Sequence, residues 1–80
     1  MILKVLGAEI SIASANTVAN ASLVRVINTG AAAVLNIANA GGVYANLTVT
    51  NTEPLIIQKS TSDTLTGANM RAAPIAFWTP

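Results

Sequence analysis

Between Ser22 and Asn39 the chain twice gathers apolar, mostly β-branched residues into a short run and breaks them once in the middle. Leu23, Val24, Val26 and Ile27 form the first run and Thr29-Gly30 the break. Val34, Leu35 and Ile37 form the second run, punctuated by Asn36 and Asn39. Side chains branched at Cβ pack well on a pleated surface. The stretch predicts two β-strands and their turn, a hairpin central to the fold. In its first strand Leu23, Arg25 and Ile27 point one way and Val24 and Val26 the other, so both faces are covered or the strand is central.

The flanking sequence extends this pattern. Ile2 to Leu6 reads as a first strand, Gly7-Ala8 as a break and Glu9 to Ile12 as a second strand, with Ile10 and Ile12 opposite Glu9 and Ser11. Ala13 to Ala21 is rich in Ser, Asn and Thr and offers few core anchors; it reads as a loop. Gly41-Gly42 supplies a tight turn into Val43 to Thr50. There strict alternation places Val43, Ala45, Leu47 and Val49 inward and Tyr44, Asn46, Thr48 and Thr50 outward. Asn51 to Pro54 is a turn, and Leu55 to Ile57 a buried strand ending at Lys59. Ser60 to Gly67 is polar and turn-rich, with Ser62 or Asp63 placed to cap one turn around Leu65. Met70 to Trp78 closes the chain as a strand in which Pro74 calls for an edge position or a bulge. About seven short strands separated by turns predict an all-β fold over residues 1–80. The expected architecture is one small antiparallel β-sandwich, or a barrel of Greek-key or jelly-roll type.

Eighty residues bury a marginal core, and with no cysteine and no histidine neither a disulfide nor a thiolate or imidazole metal site can staple it. Oligomerisation or docking on a partner is the remaining source of stability. Charged residues make up 9% of the chain, well under the roughly one quarter usual in soluble domains. Ala, Thr, Asn and Ser stand in their place, and short side chains lose little rotamer entropy when covered. Such a surface suits being packed against.

Lys4, Arg25, Lys59 and Arg71 are scattered among Glu9, Glu53 and Asp63, so no stripe exists to track nucleic-acid phosphates. No apolar run approaches the roughly 18 residues of a membrane-spanning helix. The run Ile2 to Leu6 is too short for the apolar part of a signal peptide, which leads to the expectation of a soluble chain made in the cytoplasm. The three carboxylates lie far apart and read as solvated charges, no base or thiol accompanies the hydroxyls, and Gly41-Gly42 lacks the helix and lysine of a phosphate cradle. An enzyme is not expected, nor a cofactor or a bound metal.

Three residues stand out as candidates for an interface. Arg25 sits inside an apolar strand: either its stem lies along the sheet while the guanidinium reaches water, or it docks on a carboxylate of a neighbouring subunit. Tyr44 and Trp78 are outward or terminal aromatics, suited to edge packing, to anchoring a protein interface or to stacking on a sugar. A glycan-binding module is therefore the rival to an assembly protein.

Leu23-Val24-Arg25-Val26, Asn28-Thr29-Gly30, Ala40-Gly41-Gly42, Ile57-Gln58-Lys59, Asp63-Thr64-Leu65 and Ala73-Pro74-Ile75-Ala76-Phe77 follow one another in an order that resembles small β-structured virion proteins of tailed bacteriophages, notably marine and cyanobacterial phages. The likeness spans most of the chain and rests on turns and strand residues. It implies a virion component, foremost a capsid decoration (cement) protein bound to the major capsid protein. A tail, neck or baseplate part is the alternative. It also implies homo-oligomeric or multivalent attachment, in which several weak contacts add as avidity.

Overall fold

The computed structural model describes residues 2–78, which form eight strands and, among them, no helix. These are β1 (Ile2–Val5), β2 (Ile10–Ser11), β3 (Leu23–Asn28), β4 (Ala33–Asn39), β5 (Gly42–Val49), β6 (Pro54–Gln58), β7 (Thr64–Thr66) and β8 (Met70–Trp78). All pairings are antiparallel. One sheet runs β1-β8-β3-β6, with β2 also on β8; the other runs β5-β4-β7. The fold is a small β-sandwich of two open sheets, and the closed barrel is not formed.

The two strands of Ser22 to Asn39 exist, but they are not a hairpin. β3 pairs with β6 and β8, whereas β4 pairs with β5 and β7, so the chain crosses from one sheet to the other through residues 29–32. The buried carboxamide of Asn28 holds this crossing. Its Nδ2 donates to the carbonyls of Ala31 at 3.0 Å and Val49 at 2.8 Å, and its Oδ1 accepts from the Gly30 amide at 2.8 Å. Val49 belongs to the opposite sheet, so one side chain links the two layers. β3 is central, as its two-sided pattern predicts, between β8 and β6.

β8 is also interior, not the edge strand that Pro74 suggests. The Pro74 carbonyl accepts from Leu6 N at 2.9 Å, and a strand residue's nitrogen and oxygen share one side, so the nitrogen without a hydrogen faces the gap between β1 and β2. No ladder bond is lost there, and proline is tolerated.

The polar stretch Ser60 to Gly67 hides an eighth strand. β7 pairs with β4, and Leu65 is fully buried between Asn16 and Ile37 partners instead of heading a capped turn. The loop Ala13 to Ala21 likewise supplies core residues. Ile12 precedes it and Val18 lies within it, both without exposed surface. Val18, Ala19 and Asn20 all have φ between 54° and 57°, a left-handed turn closed by Ala21 N donating to Val18 O at 3.2 Å.

The core consists of Ile12, Val18, Val24, Val26, Leu35, Val49, Leu65, Met70 and Ala72, drawn from both sheets. Each fully buried aliphatic side chain contributes roughly 1.5–3 kcal/mol. On β5 the predicted phase holds only from Ala45 onward. A bulge between Ile37 and Ala38 leaves Tyr44 unpaired and sets Val43 opposite Ala38, so Val43 leaves the inward row and is 60% exposed. Leu47 keeps the inward phase, opposite Leu35, but β5 is an edge strand, and Leu47 stays half exposed.

Candidate functional site

The outward face of the five-stranded sheet follows from register alone. Buried Val24, Val26 and Asn28 face the core, so Leu23, Arg25 and Ile27 of β3 face away from it. Ile56 of β6 and Ala73 of β8 flank Arg25, while Pro54 and Arg71 flank Ile27. Alternation along β8 carries the face on to Phe77, which pairs with Leu3 of β1 next to Val5. Ile56 is 52% exposed, Val5 63% and Phe77 44%. The expected buried strand over Leu55 to Ile57 is therefore only half covered, because β6 is an edge strand and turns Ile56 away from the core. The exposed apolar groups share the face with Ala73 and Ile75, which lie in the same row of β8 and are buried.

Its only ionised side chains, among the described residues placed on it, come from three separate segments. Glu9, in the link between β1 and β2, accepts at Oε1 from Arg71 Nε at 3.0 Å, and its backbone carbonyl accepts from Arg71 Nη2 at 3.1 Å. Arg25 Nη1 stands 3.8 Å from Glu9 Oε2, an ion pair without a hydrogen bond. The three side chains keep about 36–44% of their surface in water. Such pairs add no more than about 1 kcal/mol each to stability. Their effect is orientation: a single carboxylate holds two guanidiniums side by side, Arg25 between Ile56 and Ala73 and Arg71 between Ile27 and Ser11.

The outer face of the three-stranded sheet has another character. Asn36 and Ala38 of β4 pair there with Asn46 and Val43 of β5 and with Thr66 and Thr64 of β7, and Val34 pairs with Thr48. It is a carpet of short, mostly polar side chains. A cleft of about 420 Å³ opens elsewhere, between the left-handed turn and β8, with Leu6, Ala19, Asn20, Ser22, Thr61 and Ala76 in its walls and no ionisable group.

Arg25 thus lies on the apolar face, with an intramolecular partner that the sequence does not reveal. Tyr44 lies on the other sheet. The bulge turns it so that its hydroxyl donates to Asp63 Oδ2 at 2.5 Å. This hydrogen bond, then desolvation and the carboxylate's charge, raises the phenol's pKa above its ordinary value. Asp63 corrects the expectation of a solvated charge: it is buried beside Lys59. Lys59 is buried too, its ammonium donating to the carbonyls of Ala21 at 2.7 Å, Ser60 at 3.3 Å and Thr61 at 3.4 Å. Burial lowers the Lys59 pKa and the nearby Asp63 charge opposes that shift. The Tyr44 hydroxyl, Asp63 and Lys59 form internal ties, while Tyr44 as a whole stays 54% exposed. The Trp78 backbone pairs with Ile2, and its side chain lies outside the described structure.

Sequence reasoning misses Glu9, Arg71 and Ile56 as members of one face. Arg71 and Ile56 have the right alternation phase within their own strands and Glu9 immediately precedes β2, but only the pairing of β8 with β2 and β3, and of β3 with β6, brings them together. No family model matches the chain, and no curated protein and no solved structure is similar to it.

Proposed function

We propose that this chain is a non-enzymatic assembly protein of a tailed-bacteriophage virion, a capsid decoration protein that docks on the major capsid protein through the outward face of its five-stranded sheet. The observation that carries the docking reading is that face itself. Exposed Ile56 flanks Arg25 directly, and exposed Val5, Leu3 and Phe77 lie further along the same face, so large apolar groups and two guanidiniums share one side of the sheet. Protein interfaces are enriched in arginine and large apolar groups at their core. The long and middle axes of the molecule, 36 and 29 Å, bound a face able to bury the roughly 800 Å² per partner of a standard interface. The virion assignment comes from the sequence resemblance, and the low charge of the chain accords with a surface made to be covered.

Quantitative mass spectrometry of purified virions tests the reading. A copy number comparable to that of the major shell subunit is expected. Six, twelve or eighteen copies would point to a tail or neck part, by closed symmetry. Absence from the particles would overturn the virion assignment.

A further inference from the structure

We infer that the partner seated on the apolar sheet face presents a carboxylate, in otherwise uncharged surroundings, to the guanidinium pair of Arg25 and Arg71. The inference rests on the docking reading above and names the chemistry of its occupant.

Charge balance on the face is the first argument. Two guanidiniums share one carboxylate, Glu9, so two positive charges minus one negative leave an excess of one. Arg71 is satisfied by two hydrogen bonds to Glu9, whereas Arg25 approaches the same carboxylate only to 3.8 Å. Arg25 is therefore the guanidinium with donors to spare. Lys4 cannot share the role, because it alternates to the opposite side of β1 from Leu3 and Val5, and the Lys59 ammonium is engaged by carbonyls.

The surroundings exclude other occupants. Ile56 and Ala73 flank Arg25 directly, so whatever reaches it is largely desolvated, and a guanidinium left uncompensated under a partner is costly. A carboxylate meets a guanidinium in bidentate geometry and removes that cost. A nucleic acid needs a stripe of cations along its phosphates, and this face has two. A second copy docked by the same face would be related by a twofold axis and would set one excess positive charge against another. The face is mismatched to itself and matched to an acidic partner.

The chain contains two arginines, Arg25 and Arg71, so its arginine Nε–H signals are two in number and both report on this face. The probe is a capped seven-residue Val/Thr/Ser peptide with one central glutamate, compared with its glutamine isostere by NMR titration of the isotope-labelled full chain. The glutamate peptide is expected to shift the Arg25 Nε–H and the β3 and β6 amides, and to bind about tenfold tighter than the glutamine peptide. Arg25→Met should erase that preference. Glu9→Gln, which removes the competing carboxylate, should sharpen it a few-fold. Because the peptide pair decides the matter on the unaltered chain, a variant that fails to fold does not block the test. Equal affinity for the two peptides would overturn the inference. So would shifts confined to β4, β5 and β7, or shifts at Arg25 that appear on concentrating the chain without peptide, the sign of a second copy. A glutamate preference in a chain absent from virions would keep this inference and remove the virion assignment; an abundant virion protein without the preference would do the reverse.

Discussion

Asn28 shows how one residue can decide a topology. Its fully buried carboxamide uses both amide hydrogens and its oxygen on the backbone of the crossing and of β5, as a buried polar group must. Asn28→Ala would leave the Val49 carbonyl short of a donor and open a small void. The expected loss is about 2–4 kcal/mol of unfolding free energy in urea titrations, and a loss under about 1 kcal/mol would show that the crossing does not depend on this side chain. Arg25 is the opposite case. It is legible in the sequence as an anomaly within an apolar strand, yet its partner Glu9 comes from the link between β1 and β2 and is met only after β8 has been placed between β2 and β3. Asp63 misleads for the same reason: a carboxylate beside Ser and Thr reads as solvated until Tyr44 and Lys59 close over it.

Among the elements, the left-handed turn of Val18, Ala19 and Asn20 carries the most backbone strain. Three consecutive residues with a Cβ occupy a region that costs each roughly 1–2 kcal/mol. Val18 is held there by complete burial and by its amide donating to Asn16 Oδ1 at 2.7 Å. Ala19 is exposed and gains no such compensation. Ala19→Gly is therefore expected to stabilise the domain by about 0.5–1 kcal/mol in thermal or urea unfolding, since relief of strain outweighs the added freedom of the unfolded chain. A destabilised variant would mean that the Ala19 methyl has a packing role at the wall of the neighbouring cleft. The β5 bulge is the other local device that changes the outcome. It uncouples Val43 from the inward row and hands Tyr44 to Asp63.

As a whole, the molecule has two unlike outer faces, one Asn/Thr-rich and one apolar with its charges gathered at Glu9, Arg25 and Arg71. Affinity at the apolar face should come mainly from area removed from water, with the guanidinium contact selecting the partner. An enclosed ion pair is screened far less than exposed charges separated by more than the roughly 10 Å Debye length of 0.1 M salt. On the docking proposed above, retention of the protein on purified shells is thus expected to fall little as salt is raised from about 0.1 to 1 M. Steep release at moderate salt would assign the attachment to exposed charges instead of the apolar face.

The amino-acid sequence by itself determined that this chain is all-β. Its apolar runs are short, branched and broken by turn residues, and seven of the eight strands are visible in that pattern because alternation is a local property. It also marked Arg25 as out of place. Tertiary structure alone decided that β3 and β4 part into different sheets, that Pro74 lies inside a sheet, that the polar stretch around Leu65 is a strand, and that Glu9, Arg71 and Ile56 join Arg25. These are matters of register and layer, set by contacts between segments up to 76 residues apart, as between Ile2 and Trp78. Strand pairing is chosen by which apolar faces can share one core, a condition that no short window of sequence contains.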